Sequence, residues 1–96
     1  DYKLVQINFD DILYIEGLKD YIKIITKEKT ILTLMRMKEI EEKLPVNVFV
    51  RIHRSFIISI NNVDTVNKTN VSIGKKIIPV TDFYKEKFFK FIDLNI

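Results

Sequence analysis

The sequence predicts a mostly β fold that also contains two helices. Isoleucine, valine and threonine, which favour strands, make up about a third of the 96 residues, and alanine is absent. Apolar side chains alternate at period two in many short segments, and only two segments change to helical spacing. No strand–helix–strand alternation runs through the chain, so a parallel sheet is not expected.

The first third of the chain is predicted to form short strands separated by polar turns. The predicted strands are Lys3–Asn8, Ile12–Glu16, Tyr21–Thr26 and Thr30–Thr33, and the turns between them are DD, GLKD and KEK.

The hydrophobic period changes after these strands. One stripe at helical spacing consists of Leu34, Met37, Ile40 and Leu44, and most of the charged residues lie elsewhere. This pattern predicts one amphipathic helix at about 34–44 whose stripe faces the core. Thr33 is the expected N-cap, and Pro45 ends the helix.

The second half of the chain returns to strands and ends in a helix. Successive hairpins are indicated by three polar clusters between the predicted strands, NN at 61–62, NKTN at 67–70 and GKK at 74–76. A short C-terminal helix is predicted from Tyr84, Phe88, Phe91 and Ile92, which recur at helical spacing, with Thr81 as a candidate N-cap.

One predicted strand contains a conspicuous interruption. In FVRIHRSFIISI a single apolar face at period two is formed by Val50, Ile52, Phe56, Ile58 and Ile60. Arg54, between His53 and Ser55, breaks that series. Burying its guanidinium without a partner would cost on the order of several kcal/mol, because the charge would lose its hydration. Two explanations remain open. The tripeptide projects outward, where it can bond to base edges and phosphates, or Arg54 pairs with a carboxylate at a sheet edge and His53 is simply half-buried.

The charge distribution is uneven. The net charge is +3 and the isoelectric point about 9.1. Residues 44–81 hold five basic residues and one acid, whereas the remainder holds 11 basic and 12 acidic residues. A localised basic surface suits a polyanionic partner, although ordinary solvent-exposed lysines would give a similar count. The absence of cysteine and of a long apolar run leads us to expect a cytoplasmic protein with no membrane partner.

Catalysis, metal binding and cofactor binding are not expected. Ser55 lies two residues from the single histidine, His53, but no orienting third group or glycine-rich elbow accompanies them. The adjacent pair Asp10-Asp11 is typical of a solvated turn rather than of a metal site. Gly17 and Gly74 stand alone, so no phosphate-binding glycine loop is present.

Four segments together resemble one known family, the LytTR DNA-binding domain. These segments are Asp11–Thr26, Lys38–Pro45, Phe49–Val63 and Ile78–Lys85, in the family's order and spacing. The resemblance implies about ten short, mainly antiparallel strands, and loops rather than a helix inserted into the major groove. It also implies that residues 1–96 are a single domain, the output module of a two-component response regulator. We expect this domain to be excised from a longer chain with an N-terminal receiver domain.

The resemblance also indicates three DNA-facing segments. The first contains Lys19, Asp20, Tyr21 and Lys23, the second contains Arg51, His53, Arg54 and Ser55, and the third contains Thr81, Asp82, Tyr84 and Lys85. Arg54 aligns best with the base-contacting position. Two alternatives stay open: Arg51 is structural and pairs with Glu16 or another acid, and Tyr21 is a core residue.

The third segment departs from the family pattern. Many members carry Ser-Arg where this chain has Thr81-Asp82. An aspartate cannot bond to phosphate or to guanine O6 and N7, although it can accept from cytosine N4. The leading interpretation is therefore sequence-specific binding to double-stranded promoter DNA, with a possible homodimer on repeated sites. The alternative is a protein-interaction module that keeps the fold with weak or no specific DNA binding.

Overall fold

The computed structural model describes residues 5–95, and the side chains of residues 5–93. In chain order the elements are β1 (Ile12–Gly17), β2 (Tyr21–Thr26), β3 (Thr30–Leu34), α1 (Met37–Lys43), β4 (Phe49–His53), β5 (Phe56–Ser59), β6 (Thr65–Val66), β7 (Asn70–Ile73), β8 (Lys76–Pro79) and α2 (Asp82–Asn95). Short 3-10 turns occupy Phe9–Asp11 and Ile60–Asn62. The predicted mostly β fold with two helices is confirmed, with eight strands over residues 5–95 where about ten were expected.

The strands form two antiparallel sheets. The larger sheet has the order β3-β2-β1-β5-β4, and the smaller has the order β6-β7-β8. Each recorded strand pair is antiparallel, in agreement with the expectation from the sequence. The central pairing of β1 with β5 joins two hairpins that lie far apart in the chain.

Each face of the larger sheet packs into a separate hydrophobic core. The first core joins the sheet to α1 and includes Ile15, Ile22, Ile40, Leu44 and Ile57. The second core joins the opposite face to the smaller sheet and α2, and includes Val50, Ile52, Ile58, Val71, Ile78 and Phe88. Adjacent residues of one strand, such as Ile57 and Ile58, enter different cores because side chains alternate across a sheet. The predicted single face of β4 and β5 is confirmed.

The first helix is shorter than the predicted 34–44. Leu34 still pairs with Tyr21 in the sheet and its side chain is 72% exposed, so it does not join the helical stripe. Arg36 is extended and acts as the N-cap in place of Thr33, and its backbone N–H donates to Oε1 of Glu39 over 3.3 Å. Strand pairing with β2 therefore overrides the helical period in the first turn.

Two other boundaries differ from the sequence prediction. The predicted strand Lys3–Asn8 is absent over residues 5–8, and residues 3 and 4 lie outside the described residues. Asn61 and Asn62 do not form a hairpin turn, because the 3-10 turn at Ile60–Asn62 carries the chain from one sheet to the other. Asn62 fixes this crossing by donating to the carbonyl of Ile12 over 3.2 Å.

The C-terminal helix α2 packs along β4. Phe88 is fully buried, and Phe91 and Ile92 pack against the same core, which confirms the helical spacing seen in the sequence. The helix runs for 14 residues, longer than the short helix predicted. Neither helix within residues 5–95 has the length and apolar character needed to cross a membrane.

Gly74, in the turn between β7 and β8, has a positive φ of 59° and donates its N–H to Oδ2 of Asp64 over 2.6 Å. We expect Gly74→Ala to lower the free energy of unfolding by about 1–2 kcal/mol, because a Cβ disfavours the left-handed region. Gly74→Asn should cost less, since asparagine adopts this region more readily. Urea unfolding measures both variants, and an equal loss in the two would contradict the backbone explanation.

Candidate nucleic-acid interface

His53, Arg54 and Ser55 form the tip of the β4–β5 hairpin. His53 ends β4, and Arg54 and Ser55 make a two-residue turn before Phe56 begins β5. The N–H of Ser55 donates to Nδ1 of His53 over 2.9 Å, and the rings of His53 and Phe56 meet edge to face with centroids 5.4 Å apart. Because Nδ1 accepts, the neutral imidazole carries its proton on Nε2 and keeps a donor for another partner.

Arg54 is the exposed residue of this turn. Its side chain forms no ion pair with any residue between 5 and 95. The apolar residues on either side hold the hairpin in the second core, so the interruption in the apolar series is the turn itself. The structure agrees with the first explanation for Arg54, which is exposed and has no paired carboxylate in the described residues. His53 and Ser55 are half-buried, as the second explanation held for His53.

The β1–β2 loop lies beside the hairpin tip. Gly17 ends β1, and its N–H donates to the carbonyl of Ser55 over 2.7 Å. The loop closes through reciprocal backbone bonds of 2.8 and 3.2 Å between Leu18 and Tyr21, which leaves Lys19 and Asp20 exposed at its tip. A Cβ on Gly17 would lie only 2.6 Å from Cγ of Met37, so glycine permits the close approach of α1 to this loop.

Two residues of the first segment lie away from the loop tip. The side chain of Tyr21 is 49% exposed, so the interpretation of Tyr21 as a core residue is wrong. Ile22 and Ile24 enter the core instead, since they occupy the opposite side of β2. Lys23 is half-buried between its strand partners Glu16 and Leu32.

The third segment contacts β4 at the edge of the larger sheet. The N–H of Thr81 donates to the carbonyl of Ile52 over 3.0 Å, one residue before the hairpin tip. Asp82 begins α2, where a negative charge stabilises the helix dipole, and its Oδ1 lies 3.3 Å from Nζ of Lys85. The side chain of Asp82 is 99% exposed. The negative charge of Asp82 therefore suits the start of the helix.

Arg51 connects the hairpin tip to both helices. Its Nη1 lies 3.1 Å from Oε1 of Glu41 on α1, so the predicted acidic partner exists but is Glu41 rather than Glu16. Its Nε donates to the carbonyl of His53 over 3.4 Å, and its Nη2 donates to the carbonyl of Arg54. Its Cζ lies 5.7 Å from the centroid of the Tyr84 ring. The guanidinium is thus engaged by protein groups on three sides.

An open concavity at this end of the molecule is lined by several cationic side chains. Its lining includes Lys19, Asp20, Arg36, Arg51 and Arg54. Lys19, Arg36 and Arg54 form no ion pair within residues 5–95, whereas Arg51 is paired with Glu41. Sequence reasoning missed Arg36, because it was assigned to the polar side of the predicted helix. The extended backbone before α1 brings it to the concavity.

A further cation lies behind the hairpin tip. Nζ of Lys76 is 5.4 Å from the centroid of the Phe56 ring, a cation–π contact. The site residues inferred from the sequence omitted Lys76, although it belongs to the basic segment 44–81. Tyr14 packs on the same Phe56 ring at 6.2 Å, and burial, assisted by the charge of Glu16, raises the pKa of the Tyr14 phenol.

The described residues offer no obvious place for a metal ion. Within residues 5–95 no three histidine, cysteine, aspartate or glutamate side chains come together as possible ligands. The first two segments present exposed positive charge at Lys19 and Arg54, whereas the cation of the third segment, Lys85, is paired with Asp82. Exposed cations at the ends of a loop and a hairpin suit phosphates and base edges.

The chain is similar in sequence to known proteins. The sequence model of the LytTR family, described as LytTr DNA-binding domain, matches residues 2–93. Two curated relatives are the sensory transduction proteins LytT of Bacillus cereus and of Bacillus anthracis, each 30% identical over 95 residues. Each alignment covers 93% of this chain and 39% of the relative, so the chain spans well under half of their length.

A solved structure is also similar to this chain. It is a LytTr DNA-binding domain from Bacillus cereus, with a TM-score of 0.82 and 26% sequence identity. The match covers 92% of this chain and 86% of that one. The match of the family over nearly the whole chain and the shared fold lead to one conclusion: this chain belongs to the LytTR family of DNA-binding domains.

Proposed function

We propose that this domain binds double-stranded DNA sequence-specifically by inserting the β1–β2 loop, the β4–β5 turn and the start of α2 into the major groove. The observation that carries the proposal is Arg54, an exposed arginine without an ion-pair partner in residues 5–95, on a turn fixed by Arg51 and His53. A guanidinium held in this way can bond to O6 and N7 of one guanine.

The other proposed contacts divide by chemistry. Lys19, Lys23, Arg36 and Lys85 supply positive charge for phosphates, which positions the domain without reading sequence. His53, Ser55, Thr81 and the two tyrosines, Tyr21 and Tyr84, offer donors and acceptors for phosphates or base edges. Asp20 and Asp82 cannot bond to phosphate, so their role would be local or would involve a cytosine N4 donor.

The setting of the domain is also proposed from its relatives. Because the curated relatives are sensory transduction proteins and are longer than this chain, we propose that it is the output domain of a cytoplasmic transcriptional response regulator. A receiver domain would accompany it in the full-length protein, and pairs of such proteins would bind repeated promoter sites. The domain would act by binding and not as an enzyme.

The test is a selection of duplexes from a random pool, read by sequencing, with the parent and Arg54→Ala in parallel. We expect the parent to enrich one motif, and the variant to lose about 1–3 kcal/mol of affinity and to relax the preference at one position. Lys29→Ala is the matched control, since Lys29 is an exposed cation in the β2–β3 turn, at the other end of β2 from the concavity. An unchanged motif in Arg54→Ala would contradict base reading by the turn.

A protein-interaction module remains the second candidate, because Asp82 stands exposed where the resemblance leads us to expect a basic residue. Its pairing with Lys85 and its place at the start of α2 explain this acid without a protein partner. A folded parent that enriches no motif at low salt would favour the interaction module.

A further inference from the structure

Phe83 is the most exposed of the large apolar residues that the structure describes. It is 86% exposed, although it lies in the first turn of α2 and the next two residues, Tyr84 and Lys85, are half-buried. Phe88, five residues further along the same helix, is fully buried. A benzyl group left in water contributes nothing to the core, so its contribution to folding does not account for its presence there.

The position of Phe83 relates it directly to the hairpin tip. Its ring lies 4.9 Å from the ring of Tyr84 in an edge-to-face contact, and Tyr84 in turn lies under the guanidinium of Arg51. Arg51 donates to the carbonyl of Arg54. A continuous row of contacts therefore runs from Phe83 to the proposed base-reading arginine, and Phe83 forms the exposed end of that row.

The chemistry of the major groove offers one apolar target. The C5 methyl group of thymine projects there, and phenylalanine is among the side chains that contact it. The preceding residue, Asp82, is fully exposed and can accept from cytosine N4. In this segment the resemblance leads us to expect a basic residue. This chain instead has Asp82, a hydrogen-bond acceptor, followed by the aromatic ring of Phe83.

We propose that Phe83 contacts the C5 methyl group of a thymine in the major groove and so selects thymine at one position of the binding site. This inference rests on the proposed DNA-binding function and extends it to a residue that sequence reasoning did not single out. It explains why a large apolar side chain is kept in water at this end of the molecule: its partner is the bound DNA.

The test uses the duplex enriched by the parent domain. Each thymine is replaced in turn by deoxyuridine, which removes only the methyl group, and dissociation constants are measured for the parent and for Phe83→Ala. We expect one thymine at which deoxyuridine weakens the parent about fourfold, the scale of one buried methyl group, and has no effect on the variant. The difference between these two effects measures the interaction of Phe83 with the thymine methyl group, because any effect of uracil on the duplex itself is the same for both proteins. Phe83→Leu should retain part of the preference.

Each other outcome overturns the inference in a recognisable way. Equal effects of deoxyuridine on the parent and on Phe83→Ala at every thymine would exclude the methyl contact while leaving sequence-specific binding intact. If Phe83→Ala instead abolishes self-association in sedimentation, with no coupling to thymine, the side chain belongs to an interface between copies. A folded parent that enriches no duplex would remove the proposed function and this inference with it.

Discussion

Replacing Phe88 with alanine is expected to lower the free energy of unfolding by about 3–5 kcal/mol, the range for removing a large aromatic from a packed core. Phe88 is fully buried and belongs to the core that joins α2, the smaller sheet and the larger sheet. A domain of this size has a stability of about 5–15 kcal/mol, so the loss would be a large part of the total. Urea unfolding followed by circular dichroism measures it.

The matched control lies on the same helix. Phe83→Ala removes an identical side chain that is 86% exposed, and we expect a change within about 0.5 kcal/mol, as for other surface positions. The difference between the two phenylalanines would establish that burial, rather than helix propensity, determines the effect. Similar losses in the two variants would contradict the packing of α2 described here.

Local periodicity predicted those parts of the fold that depend on neighbouring residues. The alternation through Val50, Ile52 and Ile58 placed these residues on one face, because side-chain direction in a strand repeats every two residues. The spacing of Phe88 and Ile92 likewise placed them on the buried side of α2. The same series showed the interruption at Arg54 but left two explanations for it open, and the structure shows that the interruption is a turn.

Features that depend on distant contacts could not be predicted in this way. Leu34 fits a helical stripe, but its pairing with Tyr21 holds it in β3, and that register is a property of two strands together. Arg36 lies at the concavity because α1 begins at Met37, three residues after the predicted start, so that Arg36 precedes the helix. The partner of Arg51 was an acid as expected, yet Glu41 rather than Glu16 reaches it, which depends on where α1 packs.

The proposed DNA contacts rest on chemistry and resemblance rather than on periodicity. Sequence reasoning brought Lys19, Arg54 and Thr81 into one site, and the structure places their segments at the same end of the molecule through backbone bonds to Ser55 and Ile52. Phe83 had no signal in the sequence, because exposure of a single aromatic within an amphipathic helix becomes visible only when the packing of that helix is known.

Replacing Arg51 with alanine should weaken both folding and DNA binding, although we expect Arg51 itself to make no phosphate contact. The change removes the ion pair with Glu41, two bonds to turn carbonyls and the contact with Tyr84. Hydrogen bonds to charged groups contribute about 1.5–3 kcal/mol, so a loss of stability of that order is expected. A turn that is no longer fixed must be ordered on binding, and DNA affinity should fall about tenfold or more.

Salt dependence separates positioning by Arg51 from direct contact with DNA. Each phosphate contact adds about 0.9 to the slope of log affinity against log salt concentration. We expect Arg51→Ala to leave this slope unchanged, whereas Lys19→Ala, at an exposed loop tip, should reduce it by about one contact. A reduced slope in Arg51→Ala would show instead that its guanidinium reaches a phosphate.

Two conservative variants complete the argument for Arg51. Arg51→Lys keeps the charge but lacks the planar fork that spans Glu41 and the turn carbonyls, so it should behave much like Arg51→Ala. Glu41→Gln removes only one partner and leaves both carbonyl bonds in place, so its loss of affinity should be smaller. If Arg51→Lys binds DNA as tightly as the parent does, a positive charge at position 51 would be enough for binding. The β4–β5 turn would then not depend on the geometry of the guanidinium.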